Sequence, residues 1–290
     1  MGKTLIIADP DDKKSVAISR GLELALRLQQ QVDVVGFTYV PLGSVPGGKA
    51  KQEEVRKRLL AERKAQVQAQ IDLYAADDQD IGLKIAWEKD LEGWVSKHCV
   101  GDRYRAVIKT GNRTDSLVHT STDWQLLRKC PVPVLLISEK KWHKGKPVLV
   151  TLDLATKVAS KKKLNEKLLA YGAGLSHALE VPLEILCAIE IPTLLQDLDL
   201  VDPIAYEKDA RADMEPVIAG LAKKFDIPES TFHMKRGPVE KVITSYAAQV
   251  KAQIVVMGTV GRKGVKGRLL GNTAERVLRH LKTDVLALKP

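Results

Sequence analysis

Aromatic residues make up only 4% of this 290-residue chain, so its cores must be built from Leu, Val, Ile and Ala. That usage suits helices packed on parallel sheets, whose buried strands read as short aliphatic runs. There are three cysteines, Cys99, Cys130 and Cys187, and no CxxC pair. An odd, scattered set excludes a disulfide framework and points to buried, reduced thiols. The six histidines are scattered too, with none at a metal-ligand spacing from another, which predicts no metal site. No apolar run approaches the ~18 residues that a membrane helix needs. The opening stretch Leu5-Ile6-Ile7-Ala8 is too short for a signal peptide and runs directly into Asp9 and Asp11. These absences predict a soluble, cytoplasmic protein with no membrane partner.

Neither half of the chain has a strongly basic arm. The net charge of +10 divides into +4 for residues 1–143 and +6 for the remainder. No aromatic RNA-binding pattern accompanies it, so a nucleic-acid partner is disfavoured. Two local clusters stand out: Lys161-Lys162-Lys163, read as a solvated helix start, and the bases Arg262, Lys263, Lys266 and Arg268 within a glycine-rich segment.

What the chain does have is a repeat of itself. Leu5-Ile6-Ile7-Ala8-Asp9 resembles Leu149-Val150-Thr151-Leu152-Asp153. Pro131-Val132-Pro133-Val134-Leu135-Leu136-Ile137 closes one half and Thr283-Asp284-Val285-Leu286-Ala287-Leu288 the other. Thr122-Asp123-Trp124-Gln125-Leu126-Leu127-Arg128 matches Thr273-Ala274-Glu275-Arg276-Val277-Leu278-Arg279. The offset drifts between 144 and 151, as a duplicated domain with small loop changes requires.

Each half reads as five strands alternating with four helices, which implies a doubly wound parallel five-stranded sheet. We assign residues 1–138 and 147–290 to two tandem α/β domains related by a pseudo-twofold axis, with 139–146 as linker. Strands are expected at 4–8, 32–39, 83–87, 106–109 and 132–137, then at 148–152, 183–189, 231–235 and 254–257. A long, partly acidic loop should follow residue 189. The charged helix expected over 52–75 carries a narrow stripe, Val55, Leu59, Val67, Ile71 and Tyr74, that suits packing on its own sheet. Gly172-Ala173-Gly174 lies inside a helix and reads as close helix packing. The two closing strands are expected to meet across the internal pseudo-twofold, which would cover edges that otherwise invite aggregation.

One segment carries chemistry: Gly258-Thr259-Val260-Gly261-Arg262-Lys263-Gly264-Val265-Lys266-Gly267-Arg268-Leu269-Leu270-Gly271-Asn272-Thr273. It follows a buried strand and precedes a helix. Glycines allow backbone amides to approach a phosphate. Asn272 or Thr273 is placed to cap the helix, whose positive end would face the same anion. Arg262, Lys263 and Lys266 would add charge. The segment is neither a Walker A loop nor a GxGxxG turn.

The spacing Gly258-x2-Gly261-x9-Gly271, followed by a small polar residue, is similar to the ATP-binding pattern of the universal stress protein (UspA) family, and the resemblance covers the whole chain. It implies a Rossmann-like sandwich of the adenine nucleotide alpha hydrolase type. It further implies that Asp153 contacts the nucleoside, that the backbone at Ala188 holds adenine, and that Gly258, Gly261, Arg262, Gly271, Asn272 and Thr273 surround the phosphates. The family pattern has Ser or Thr where Asn272 stands. The implied ligand is ATP or another adenine nucleotide, with Mg as a companion of the phosphates.

The first half keeps Asp9 but has Thr110-Gly111-Asn112-Arg113-Thr114-Asp115-Ser116 in place of the glycines, and Asp115 would repel phosphate. No nucleotide is expected there. With no general base beside the loop and no metal carboxylate within 258–273, a regulatory nucleotide-binding stress protein is the reading, not an enzyme beyond a slow ATPase. The alternative is a scaffold that binds a protein partner, a second copy or a small hydrophobic ligand.

Overall fold

A computed structural model describes residues 2–10, 12, 14–111, 122–259 and 271–290. The chain divides into two compact units, Met1–Glu139 and Lys140–Pro290.

The first unit runs β1 (Lys3–Ala8), α1 (Val16–Arg27), β2 (Val32–Thr38), α2 (Gly48–Asp72), β3 (Ile81–Trp87), α3 (Leu91–His98), β4 (Tyr104–Thr110), α4 (Thr122–Lys129) and β5 (Val134–Ile137). The second runs β6 (Val148–Leu152), α5 (Ala159–Leu179), β7 (Leu183–Ile189), α6 (Thr193–Asp197), α7 (Pro203–Phe225), β8 (Phe232–Arg236), α8 (Val239–Gln249), β9 (Ile254–Gly258), α9 (Asn272–His280) and β10 (Asp284–Leu288). Within the units the strand orders are β3-β2-β1-β4-β5 and β8-β7-β6-β9-β10, and every pairing is parallel. Each unit is therefore the doubly wound five-stranded sheet that the strand–helix alternation implies.

Residues facing helices on both sides explain the aliphatic strands. Leu5, Ile6 and Ile7 in β1 and Leu149 and Val150 in β6 are all fully buried. The first helix of each unit closes on that strand at a glycine. A Cβ on Gly21 would lie 2.7 Å from Ile6 Cδ1, and one on Gly172 only 2.1 Å from Val150 Cγ2. Gly174, by contrast, has nothing within 4 Å of where its Cβ would stand, so the packing expected of both glycines belongs to Gly172 alone. Among the described residues, no helix is long and apolar enough to cross a membrane.

Three details depart from the sequence-based expectation. The loop after β7 contains a short helix, α6, with Leu194 and Leu198 exposed. In β5 the strand begins at Val134 rather than 132, because Pro131 and Pro133 cannot donate to the ladder; the Pro133 carbonyl instead accepts the Val107 N–H at 2.9 Å. In α2 the buried stripe is Arg63, Val67 and Ile71, a charged residue taking a place in an otherwise apolar row, while Tyr74 is exposed.

The glycine contacts separate two ordinary expectations. Ala is better than Gly in a helix interior by about 1 kcal/mol, so Gly174→Ala should stabilise the protein by up to that amount in urea denaturation. Gly172→Ala should destabilise it, since Val150 must move to admit the methyl.

Candidate functional site

In an open α/β sheet the crevice lies where consecutive strands part in opposite directions, beyond their carboxyl ends. In the second unit that point is between β6 and β9. Their ladder stops at Val150↔Val256. Beyond it β6 continues with β7 as far as Leu152↔Cys187, and β9 continues with β10 as far as Leu288↔Gly258. Of the sequence-predicted residues, Asp153, Ala188, Gly258, Gly271, Asn272 and Thr273 are described; they stand on β6, β7, β9 and α9 or directly beside them.

Asp153 follows β6 directly. Asn165 of α5 clamps its backbone from both sides: its Oδ1 accepts the Asp153 N–H at 3.2 Å, and its Nδ2 donates to the Asp153 carbonyl at 2.8 Å. The carboxylate itself is half exposed and is held by Lys161 Nζ at 2.9 Å. Lys161 stands in the exposed first turn of α5, as the helix-start reading expects, and from there also pairs with Asp153. Ala188 lies one residue past the last β6 pairing and is paired only with Lys235 of β8, so β7 overhangs the crevice there. Beside it the Cys187 thiol is buried and contacts Met214 Sδ at 3.6 Å. Burial, opposed by the Leu154 backbone and reinforced by the Asp153 charge, pushes its pKa up to about 11, so it stays a thiol.

On the other wall, Gly258 ends β9. A Cβ there would lie 2.8 Å from Leu164 Cδ2, so this glycine serves helix packing, a reason that its place in the glycine spacing does not supply. Thr259 is buried, with its N–H and Oγ1 both donating to the Leu288 carbonyl at 2.9 and 3.1 Å. Its own carbonyl accepts the Gly271 N–H at 3.0 Å. This bond holds Thr259 and Gly271 together across the intervening segment 260–270. Gly261 and Arg262 belong to that segment and lie outside the described residues. Gly271 is the residue that caps α9, with no side-chain cap bond, and Asn272 and Thr273 are already inside the helix. The expectation that Asn272 or Thr273 caps it is corrected on this point. A glycine cap contributes no side-chain acceptor to the first-turn amides.

The first unit has the same frame. The β1–β4 ladder stops at Ile6↔Ile108, and the Gly111 N–H donates to the Ile137 carbonyl at 2.8 Å, as Thr259 does to Leu288. The filling is different. Asp9 is buried and its Oδ2 lies 2.6 Å from Lys109 Nζ, which also lies 3.0 Å from Asp123 Oδ1 and donates to the Thr110 carbonyl at 2.8 Å. Arg63 Nη2 donates to the Ala8 carbonyl at 2.7 Å. Asp12 Oδ2 accepts from Thr110 Oγ1 at 2.5 Å and from the Ala17 N–H at 3.1 Å. Sequence reasoning missed Lys109, Arg63 and Asp123. Lys109 did leave a signal: a lysine inside the buried strand run Ala106-Val107-Ile108, where the second half has Met257. Asp115 lies outside the described residues.

Among the described residues, no group of three or more His, Cys, Asp or Glu is arranged to hold a metal. The packing of Gly258 makes a prediction independent of any ligand. Gly258→Val should displace Leu164 and cost about 1–3 kcal/mol of stability in chemical denaturation, whereas a glycine kept only for ligand approach would show no such loss without ligand.

Residues 146–289 match the Universal stress protein family. Over 296 residues the chain is 29% identical to universal stress protein E of Salmonella typhi and of Escherichia coli strain K12, covering 99% of this chain and 93% of each relative. It is 26% identical over 300 residues to the universal stress protein E homolog of Haemophilus influenzae, covering 99% of this chain and 96% of that protein. The solved structure of a putative universal stress protein from Pseudomonas aeruginosa UCBPP-PA14 is similar over 99% of this chain and 93% of that one, with a TM-score of 0.69 and 21% identity, a likeness of fold. Duplicated halves, the doubly wound sheet of each and the whole-length kinship agree: the chain belongs to the universal stress protein family.

Proposed function

We propose that the second unit binds ATP or a related adenine nucleotide, and that the protein acts through this binding as a regulatory stress protein rather than as a catalyst. The observation that carries the proposal is the crevice where β6 and β9 part, with a half-exposed Asp153 carboxylate on one wall and the amino end of α9, at its N-cap Gly271, on the other. A carboxylate suits ribose hydroxyls, and the positive amino end of a helix suits phosphate. Ala188, on the overhanging end of β7, supplies backbone groups for adenine. Gly258 and Thr259 lead into the phosphate segment, where Gly261 and Arg262 would hold the anion and Mg would travel with it. Thr273 sits in the first turn of α9, and Asn272 begins it.

Binding here requires Asp153 to share its carboxylate between Lys161 and the nucleoside. Lys161 thus stands close enough to compete for Asp153 or, once displaced, to meet an anionic ligand. A second reading, a scaffold for a protein partner, is favoured by the exposed apolar side chains Leu194, Leu198, Leu200 and Ile204 around α6.

Calorimetric titration with ATP, AMP and cyclic nucleotides decides between the two. One nucleotide should bind per chain and raise the melting temperature. Asp153→Ala, which removes a hydrogen bond to a charged group, should weaken binding by about 10–100-fold. Asp9→Ala should leave the affinity unchanged. Gly261→Val and Gly271→Val should abolish binding through the added side chain. Two equivalent sites would misassign the active half, and no heat or thermal shift with any of the three nucleotides would leave the scaffold.

A further inference from the structure

Each strand register allows the two units to be compared residue by residue at the crevice. Leu136 of β5 pairs with Lys109, and Ala287 of β10 pairs with Met257, so Lys109 occupies the place of Met257. Gly36 pairs with Ala8 and Cys187 with Leu152, one residue before Asp9 and Asp153 respectively. Over Gly36 lies Arg63, whose Nε would be 3.4 Å from a Cβ there, and over Cys187 lies Met214. Asp123 and Ala274 both stand eleven positions before the equivalent strand residues Val134 and Val285. Met257, Met214 and Ala274 around one crevice are thus matched by Lys109, Arg63 and Asp123 around the other.

We propose that the first unit fills its own ligand site: Lys109, bound between Asp9 and Asp123, occupies the phosphate side of the crevice, so that Lys109 and Asp123 are the residues that decide which half of the chain accepts a nucleotide. The inference rests on the nucleotide reading of the second unit only for the identity of the ligand excluded.

Three observations support it. An ammonium has three N–H donors, and Lys109 meets three oxygens, Asp9 Oδ2 at 2.6 Å, Asp123 Oδ1 at 3.0 Å and the Thr110 carbonyl at 2.8 Å, with 1% of the residue exposed. The ammonium is thus enclosed by oxygens of its own unit, with almost no surface left for an incoming phosphate. Asp123 lies in the first turn of α4, where a carboxylate satisfies the positive helix end that would otherwise draw an anion. Asp9, the counterpart of Asp153, is buried rather than half exposed and is committed to Lys109. Burial works against the charged ammonium, but Asp123 and Asp9 outweigh it and hold Lys109 above the usual lysine pKa. The ion stays charged and in place. Arg63, opposite, ties the end of β1 through the Ala8 carbonyl, so the carboxyl end of that strand is occupied from two sides.

Two measurements on the full chain test the proposal. In hydrogen exchange with and without ATP, peptides from β4 and α4 should show the same protection in both conditions; ATP-dependent protection there overturns it. If ATP alters exchange in neither unit, the nucleotide reading of the second unit fails, and the variants still decide the first. Lys109→Met leaves two buried carboxylates without their cation and should lower the first unit's unfolding midpoint by about 10 °C. Lys109→Met/Asp123→Ala, which installs the second unit's residues, should regain at least half of that loss. A single variant that fails to fold while the double variant folds supports the coupling equally. A double variant no more stable than the single, or equally unfolded, overturns the cluster as a coupled unit.

Discussion

The end of pairing between the central strands governs both halves of this molecule. A parallel sheet wound outward in both directions must part at its switch point, β1 from β4 and β6 from β9. Past that point backbone groups have no ladder partner on one side, and helices cannot cover them without closing the crevice. Something polar must fill or face the opening. The two units meet this one constraint with different chemistry, a half-exposed Asp153 paired with Lys161 in one and a buried ion cluster in the other.

The internal cluster is held because its members satisfy one another. A buried lysine alone would be driven neutral, and a buried aspartate alone would be driven to protonate. Together Asp9, Lys109 and Asp123, with Arg63 beside them, balance charge. Such a cluster brings little net stability compared with a well-packed apolar filling, yet it is costly to break by halves. At the same place the second unit has Met257, Met214 and Ala274, a clamp on the Asp153 backbone and the Lys161 ion pair to its carboxylate.

Much of the frame is legible in the order of residues. Alternating aliphatic runs and helical stripes give strand and helix positions to within a few residues, because burial on both faces of a parallel strand favours aliphatic residues. The duplicated Leu-Ile-Ile-Ala-Asp and Leu-Val-Thr-Leu-Asp segments locate both central strands and both aspartates. Gly172 and Gly174 look alike in the sequence, yet only Gly172 packs closely. Nothing local distinguishes the two; only the strand beneath does. Gly258 shows the same limit, since its reason lies in Leu164, ninety-four positions earlier. The cap of α9 falls on Gly271 rather than on Asn272 or Thr273: propensity favours the polar residues, while the neck bond between Thr259 and Gly271 fixes where the helix begins.

The sequence by itself determined two α/β halves, since strand–helix alternation follows from periodicity and covalent order, and it carried in one half a glycine spacing that resembles the family's pattern. Only the tertiary structure decided that Lys109, Asp9 and Asp123 meet, that Arg63 reaches the end of β1 from a helix fifty-five residues away, and that Lys161 holds Asp153. Charge pairing acts over a few ångströms of space and is indifferent to distance along the chain, so residue type alone could not reveal which ions would neutralise one another and which would remain open to a ligand.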